Sequence, residues 1–170
     1  MRLIASLCLA AGAALSVGLA APAAAQTSAA VDHAELRALG VLVQPERMRA
    51  DIQTMVDFGT RHTMSETQSE TRGIGAARRW AEREFESISA ACGGCLEIVT
   101  PSDTVTGRRV PTPTEVVDVV AIQRGTGDPN RVIIISGHLD SRVTDVMDFT
   151  SDAPGANDDA SGVAAVLEAA

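Results

Sequence analysis

Aromatic side chains are nearly absent from this chain of 170 residues: it has no tyrosine, one tryptophan (Trp80) and three phenylalanines (Phe58, Phe85, Phe149). So few rings cannot build a platform on which nucleic-acid bases stack, and they leave a core made of aliphatic residues and alanine. Positive charge is also scarce. Lys and Arg number 14 against 22 Asp and Glu, a net charge of −8, which disfavours nucleic acid and anionic membrane as partners. Cysteine is limited to Cys8, Cys92 and Cys95, and no internal repeat or low-complexity tract follows the first thirty or so residues.

The amino terminus reads as an export signal. Met1-Arg2 gives a short positive region, Leu3 to Leu19 an apolar stretch, and Ala23-Ala24-Ala25 a small-residue cleavage site before Gln26. A membrane anchor would need roughly 20 apolar residues with suitable flanks, and Pro22 with the alanine cluster argues against one. A lipoprotein site is disfavoured because Cys8 lies early in the apolar region, behind Leu7. Residues 1–25 are therefore expected to be a signal peptide, 26–44 a leader segment and 45–170 part of a folded domain, placing the product in the periplasm or outside the cell without a membrane tether. Removal of residues 1–25 takes away Arg2 and no acid, which leaves 13 basic residues against 22 acidic, a charge of −9. About 145 residues remain, enough for one modest domain.

In an exported chain Cys92-Gly93-Gly94-Cys95 is expected to be an oxidised pair. A catalytic dithiol would need this motif at a helix start after a strand, and a zinc knuckle would need two further ligands nearby; neither context is present. So short a disulfide loop contributes only ~2 kcal/mol on loop-entropy grounds.

The spacing of Met48, Ile52, Met55 and Val56 predicts a helix over Pro45 to Phe58, with Pro45 suited to its start and Gly59 to its stop. Gly59-Thr60-Arg61-His62-Thr63 then forms a loop. A second helix is predicted over Thr71 to Ser89, with Ile74, Ala77, Ala81, Phe85 and Ile88 on one side and a solvated face of Arg78, Arg79, Glu82, Arg83 and Glu86 on the other. Leu96 to Thr100 and the valine-rich Glu115 to Gln123 read as strands. Arg108 to Thr114, with Pro111 and Pro113, reads as a loop or sheet edge. After the turn Gly125 to Asn130, Arg131 to Ser136 reads as a strand buried on both faces, as at the centre of an α/β sheet. From Ser161 a final helix opens, with Asp159 or Ser161 placed to cap it.

Chemistry gathers beyond the carboxyl end of that last strand, where open α/β sheets place functional groups. His138 sits two residues past Ser136, and Asp140 follows at i+2, where a carboxylate can accept a metal-binding histidine's other N–H. Asp158 and Asp159 precede a helix start, whose free N–H groups tolerate negative charge, and a carboxylate can bridge two cations ~3.5–4 Å apart. Mixed imidazole and carboxylate ligation suits zinc. A lone histidine or a lone acidic cap would be unremarkable; the joint pattern is specific. His-x-Asp at a strand end, then Pro154-Gly155-Ala156-Asn157-Asp158-Asp159-Ala160-Ser161-Gly162 entering an apolar helix, closely resembles the zinc peptidase family that includes secreted bacterial aminopeptidases, glutamate carboxypeptidase and the transferrin receptor ectodomain. The strong similarity covers Val132 to Ala170; Phe58 to Thr63, the Gly73 to Phe85 helix and the valine strand are similar to the start of the same domain.

That resemblance implies an α/β fold, the amino-terminal portion of a three-layer zinc-aminopeptidase architecture with a central mixed sheet. It implies two zinc ions, with His138 a terminal ligand of one, Asp158 the carboxylate bridging both, Asp140 the orienter of His138, and Asp159 joined to Asp158 by a peptide bond that is often cis in the family. The implied activity is metal-assisted hydrolysis of peptides from the amino terminus, with a glutamate moving the proton. The family's site uses five protein ligands and that glutamate; this chain supplies two of the ligands, so the others are expected beyond Ala170 and the 170 residues alone are expected to be inactive. Glu168 reads as a surface residue, and His33 and His62 as structural or exposed. An EF-hand reading of Asn157-x-Asp159-x-Ser161-Gly162 fails on context, because Pro154-Gly155 stands where its entering helix should be. The competing function is a metal-free binding or structural ectodomain on the same fold; retention of both His138 and Asp158 favours the enzyme.

Overall fold

A computed structural model describes residues 33–170. The expected signal peptide, with Cys8, and the first part of the leader lie outside the described residues. Among the described residues four α-helices, α1 (Ala34–Gly40), α2 (Pro45–Asp57), α3 (Gly73–Ala91) and α4 (Ser161–Ala169), combine with four strands, β1 (Leu96–Val99), β2 (Ser102–Gly107), β3 (Val110–Val117) and β4 (Val120–Gln123). The mixture of helices and small sheets is an α/β architecture. Among the described residues no helix is long and apolar enough to cross a membrane.

The core forms where α2, α3 and α4 bring together the apolar stripes expected from their spacing. Met55 and Phe58 from the end of α2, Ala77, Trp80, Ala81 and Phe85 from α3, Leu96 from β1, and Val163 and Leu167 from α4 form one buried cluster. Phe58 and Trp80 meet at a tilted 6.3 Å ring separation. Burying a side chain as large as Phe85 or Leu167 contributes roughly 1.5–3 kcal/mol, so this junction holds α4, and hence the segment just before it, against the helices. The helix spans fall within two residues of expectation.

At the end of α3 the Cys92–Cys95 bridge closes, with Cα atoms 5.6 Å apart. Ser89 completes the reversal into β1: its hydroxyl donates to the Leu96 carbonyl at 3.0 Å and accepts the Leu96 N–H at 3.2 Å.

Several expectations need correction. The valine-rich segment is not one strand: it breaks at Asp118-Val119, so that β3 pairs with β2 while β4 pairs with β1, both antiparallel. Β3 begins at Val110 and includes Pro111 and Pro113; in a two-stranded hairpin a missing N–H can face outward, which is why the prolines are tolerated. Arg131 to Ser136 is neither paired nor buried. Val132, Ile133, Ile134 and Ile135 are 77%, 84%, 81% and 60% exposed, because β1 and β4 pair only with each other and no described strand lies alongside. Apolar pattern states what a segment can bury, but a strand needs a neighbour for its N–H and C=O groups. Finally, the helix face carrying Arg78 and Arg79 is not simply solvated: Arg78 donates to the Glu115 carbonyl of β3, and Arg79 to the carbonyls of Thr67 and Ser69.

The leader contains α1, whose Leu36 and Leu39 are exposed. Glu168 is also not the surface residue expected. Its carboxylate accepts the Gln44 N–H at 2.6 Å and pairs with Arg47 at 3.2 Å, tying α4 to the start of α2.

Candidate metal centre

His138 and Asp158 come from separate segments and meet. The imidazole Nε2 lies 3.0 Å from Asp158 Oδ1, and Nδ1 lies 3.1 Å from Asp140 Oδ1 and 3.0 Å from the Asp140 carbonyl. Both ring nitrogens thus face carboxylate oxygens, and a neutral ring that gave Nε2 to a metal would carry its proton on Nδ1, where Asp140 accepts it. Asp158 is the most open of the three, 89% exposed, so a carboxylate oxygen remains available to solvent. Partial burial of His138 works against its charged form; the Asp140 carbonyl and carboxylate, then Asp159 and Asp158, outweigh it and raise the pKa above the ordinary value of 6.5.

Asp159 holds the junction rather than the open face. One oxygen accepts the His138 backbone N–H at 3.1 Å, and the other accepts the Gly162 N–H at the start of α4 at 3.2 Å. The acidic side chain thus serves as the helix cap considered from sequence, while Ser161 donates to the Asn157 carbonyl instead. The peptide bond between Asp158 and Asp159 is cis, and residues Ala156–Ala160 form a wide turn closed by the Ala160 N–H on the Gly155 carbonyl at 3.1 Å.

Gly155 enters that turn at φ +47°, and a Cβ there would lie 2.6 Å from Ser141 Cβ. Gly137 has a different reason to be glycine. A Cβ would lie 2.6 Å from both the Gly162 carbonyl carbon and the Val163 nitrogen, so the backbone before His138 packs directly on the first turn of α4.

Two residues important to this arrangement are not evident from sequence. Arg61, fully buried, sends its guanidinium to the carbonyls of Leu139 (2.7 Å), Met55 (2.8 Å), Pro154 (2.9 Å) and Gly155 (3.1 Å). Burial lowers its pKa, and the nearby Asp140 charge opposes that shift. Ser141, also buried, donates to the Ala153 carbonyl at 2.6 Å and accepts the Arg61 N–H at 3.1 Å. The available signal was Arg61's place in a loop whose sequence had family character, although no chemistry could be attached to it.

His62 is buried and structural: its Nδ1 accepts the Met64 N–H at 3.1 Å and its Nε2 lies 3.2 Å from the Val146 carbonyl. His33 is exposed beside α1. Cys92 and Cys95 sit at the far end of α3 and take no part in the site. A cleft of about 740 Å³ between α3, β3 and residues 147–149 is bordered by neither His138 nor Asp158. Among the described residues no group of three or more His, Cys, Asp or Glu side chains is arranged to hold a metal ion; the pair His138 and Asp158 is what this chain brings together.

Residues 118–170 match the model of Peptidase family M28. Similar proteins named as probable zinc metalloproteases include one from Pyricularia oryzae, 48% identical over 84% of this chain and 29% of its own length. Another, from Leptosphaeria maculans, is 43% identical over 92% of this chain and 35% of its own length. A third, from Pyrenophora teres f. teres, is 46% identical over 80% of this chain and 28% of its own length. Residues 118–170 thus carry the family's match, and the chain as a whole is similar to proteins named as zinc metalloproteases. It spans about a third of the length of these curated relatives. No solved structure matches it significantly.

Proposed function

We propose that the protein is an exported zinc-dependent exopeptidase, an aminopeptidase that hydrolyses peptides from their amino terminus at a two-zinc site. The observation that carries this reading is the meeting of His138 Nε2 and Asp158 Oδ1 at 3.0 Å, with Asp140 on the other ring nitrogen. The names of the relatives, zinc metalloproteases, support it.

The donors fit the metal. Two atoms each ~2.0–2.2 Å from a tetrahedral zinc lie roughly 3.3–3.6 Å from one another, a few tenths of an ångström beyond the 3.0 Å observed. Imidazole with carboxylate is an ordinary zinc donor set, and the histidine already has the outer carboxylate partner that fixes a ligand's tautomer. His138 would be a terminal ligand, and Asp158, with an oxygen open to solvent, the bridge. When bound, zinc supplies Lewis-acid polarisation of the scissile carbonyl and lowers the pKa of water. This chain's residues do the holding: Asp140 keeps the Nδ1 proton in place, and Asp159 fixes the His138 backbone to the start of α4. The remaining ligands and the proton-transferring glutamate would come from the part of the relatives' length that this chain does not span.

Express the full-length gene product, measure bound zinc, and assay aminoacyl-nitroanilides beside an amino-blocked analogue. Zinc-dependent turnover of the free-amino substrate alone is expected, with loss of bound zinc and turnover in His138→Ala. Preferential cleavage of the blocked substrate would replace the aminopeptidase assignment with another peptidase specificity. A zinc-free, inactive wild type would favour the metal-free ectodomain.

A further inference from the structure

The two candidate donors are delivered by segments that share no β-pairing: Gly137 to Ser141 and Ala153 to Asp158. Side-chain contacts must set the distance between them, and two are direct: Ser141 donates to the Ala153 carbonyl and Asp159 accepts the His138 N–H. A buried cation also touches both segments. Arg61 Nε donates to the Leu139 carbonyl, one residue after His138, while Nη1 and Nη2 donate to Pro154 and Gly155, which lead into the Asp158 turn. Its fourth bond, to the Met55 carbonyl in the last turn of α2, anchors the guanidinium to the helical core. The main chain of the same residue adds two links to Ser141, N–H to hydroxyl at 3.1 Å and carbonyl to N–H at 3.3 Å.

We propose that Arg61 is the positioning residue of the metal centre: its guanidinium clasps the His138 and Asp158 segments at one fixed separation. This role rests on reading His138 and Asp158 as ligands. The Arg61 guanidinium bonds backbone carbonyls rather than the side chain of either candidate ligand. The planar fork reaches carbonyls in several directions at once; a lysine ammonium concentrates its donors on one atom and cannot span them. Leaving these buried carbonyls unpaired also frees the segments to move apart.

The test uses the full-length protein and chelator competition to measure zinc affinity. Arg61→Ala is expected to lose about 10–100-fold, the range for removing outer-sphere support of a metal ligand, and added guanidinium ion should restore part of the loss. Arg61→Lys, which keeps the charge, should also bind more weakly. Ser89→Ala, at the far end of α3 where the hydroxyl holds the turn into β1, should lower thermal stability and leave zinc affinity unchanged. If Arg61→Ala does not fold, Arg61→Lys decides: wild-type affinity in that variant overturns the proposal. A metal-free readout separates this from failure of the ligand assignment. The imidazole ¹⁵N signals of His138, assigned by their loss in His138→Ala, should shift in Arg61→Lys and not in Ser89→Ala. Unchanged signals overturn the clasp even if wild-type protein proves to hold no zinc.

Discussion

Residues 132–135 and 137–141 adjoin in sequence yet occupy opposite conditions. The first four are among the most apolar in the chain and stand exposed, whereas polar Ser141 is buried and fully engaged. Hydrophobicity alone therefore does not decide what this fold secures. Order follows the availability of a partner: Arg61, Asp159 and Ala153 meet the second segment, while no described strand meets the first. The chemistry-bearing end is held by polar contacts to backbone, independently of the strand that introduces it.

The contrast can be broken most severely at the polar end. Asp140→Asn keeps the shape and removes the charge beside His138 Nδ1, and should weaken zinc binding by the full-length protein about 10–100-fold in isothermal titration; an unchanged affinity would show that Asp140 does not orient the ring. Ser141→Ala strands a buried N–H and a carbonyl together, so denaturant unfolding should report a loss of about 1–3 kcal/mol. Asp148 probes the intervening loop. Its carboxylate accepts the Ser151 and Thr150 N–H groups and the Thr150 hydroxyl, and these bonds, those from Ser151 first, hold its pKa far below 3.8. A depressed folded pKa means stability that is present above the unfolded value and lost as pH falls toward the folded one. The melting-temperature gap between wild type and Asp148→Ala should accordingly be constant near neutrality and narrow below pH 3.8; a gap that widens in acid contradicts the assignment. The smallest effect belongs to the apolar run. In the 170-residue chain Ile134→Thr should change stability by less than about 0.5 kcal/mol, as exposed substitutions do, and a cost of several kcal/mol would mean that the run is covered.

Sequence made two helices legible because Met48, Ile52, Met55 and Val56 in α2, and Ile74, Ala77, Ala81, Phe85 and Ile88 in α3, recur at a spacing only a helix turns to one side. It also made His138 and Asp158 legible, since each stands in a compact motif with its own local chemistry. Arg61 escaped notice for the opposite reason. Its partners, Met55, Leu139, Pro154 and Gly155, contribute carbonyls, which every residue possesses, and three of them lie more than seventy positions away. The split of the valine-rich segment was equally hidden: a run of β-branched residues favours extended chain but carries no mark of where it leaves one partner for another. Glu168 shows the same blindness to pairing, because only the packing of α4 on α2 reveals Arg47 beside it.

Gly137 carries a consequence for redesign. Since its backbone rests on Gly162 and Val163 with no room for a methyl group, the spacing between the His138 segment and the start of α4 cannot be tuned by varying residue 137. That dimension is a fixed gauge written in main-chain atoms. Redesign around His138 must instead work through side chains of other segments, leaving the joint beneath the histidine untouched.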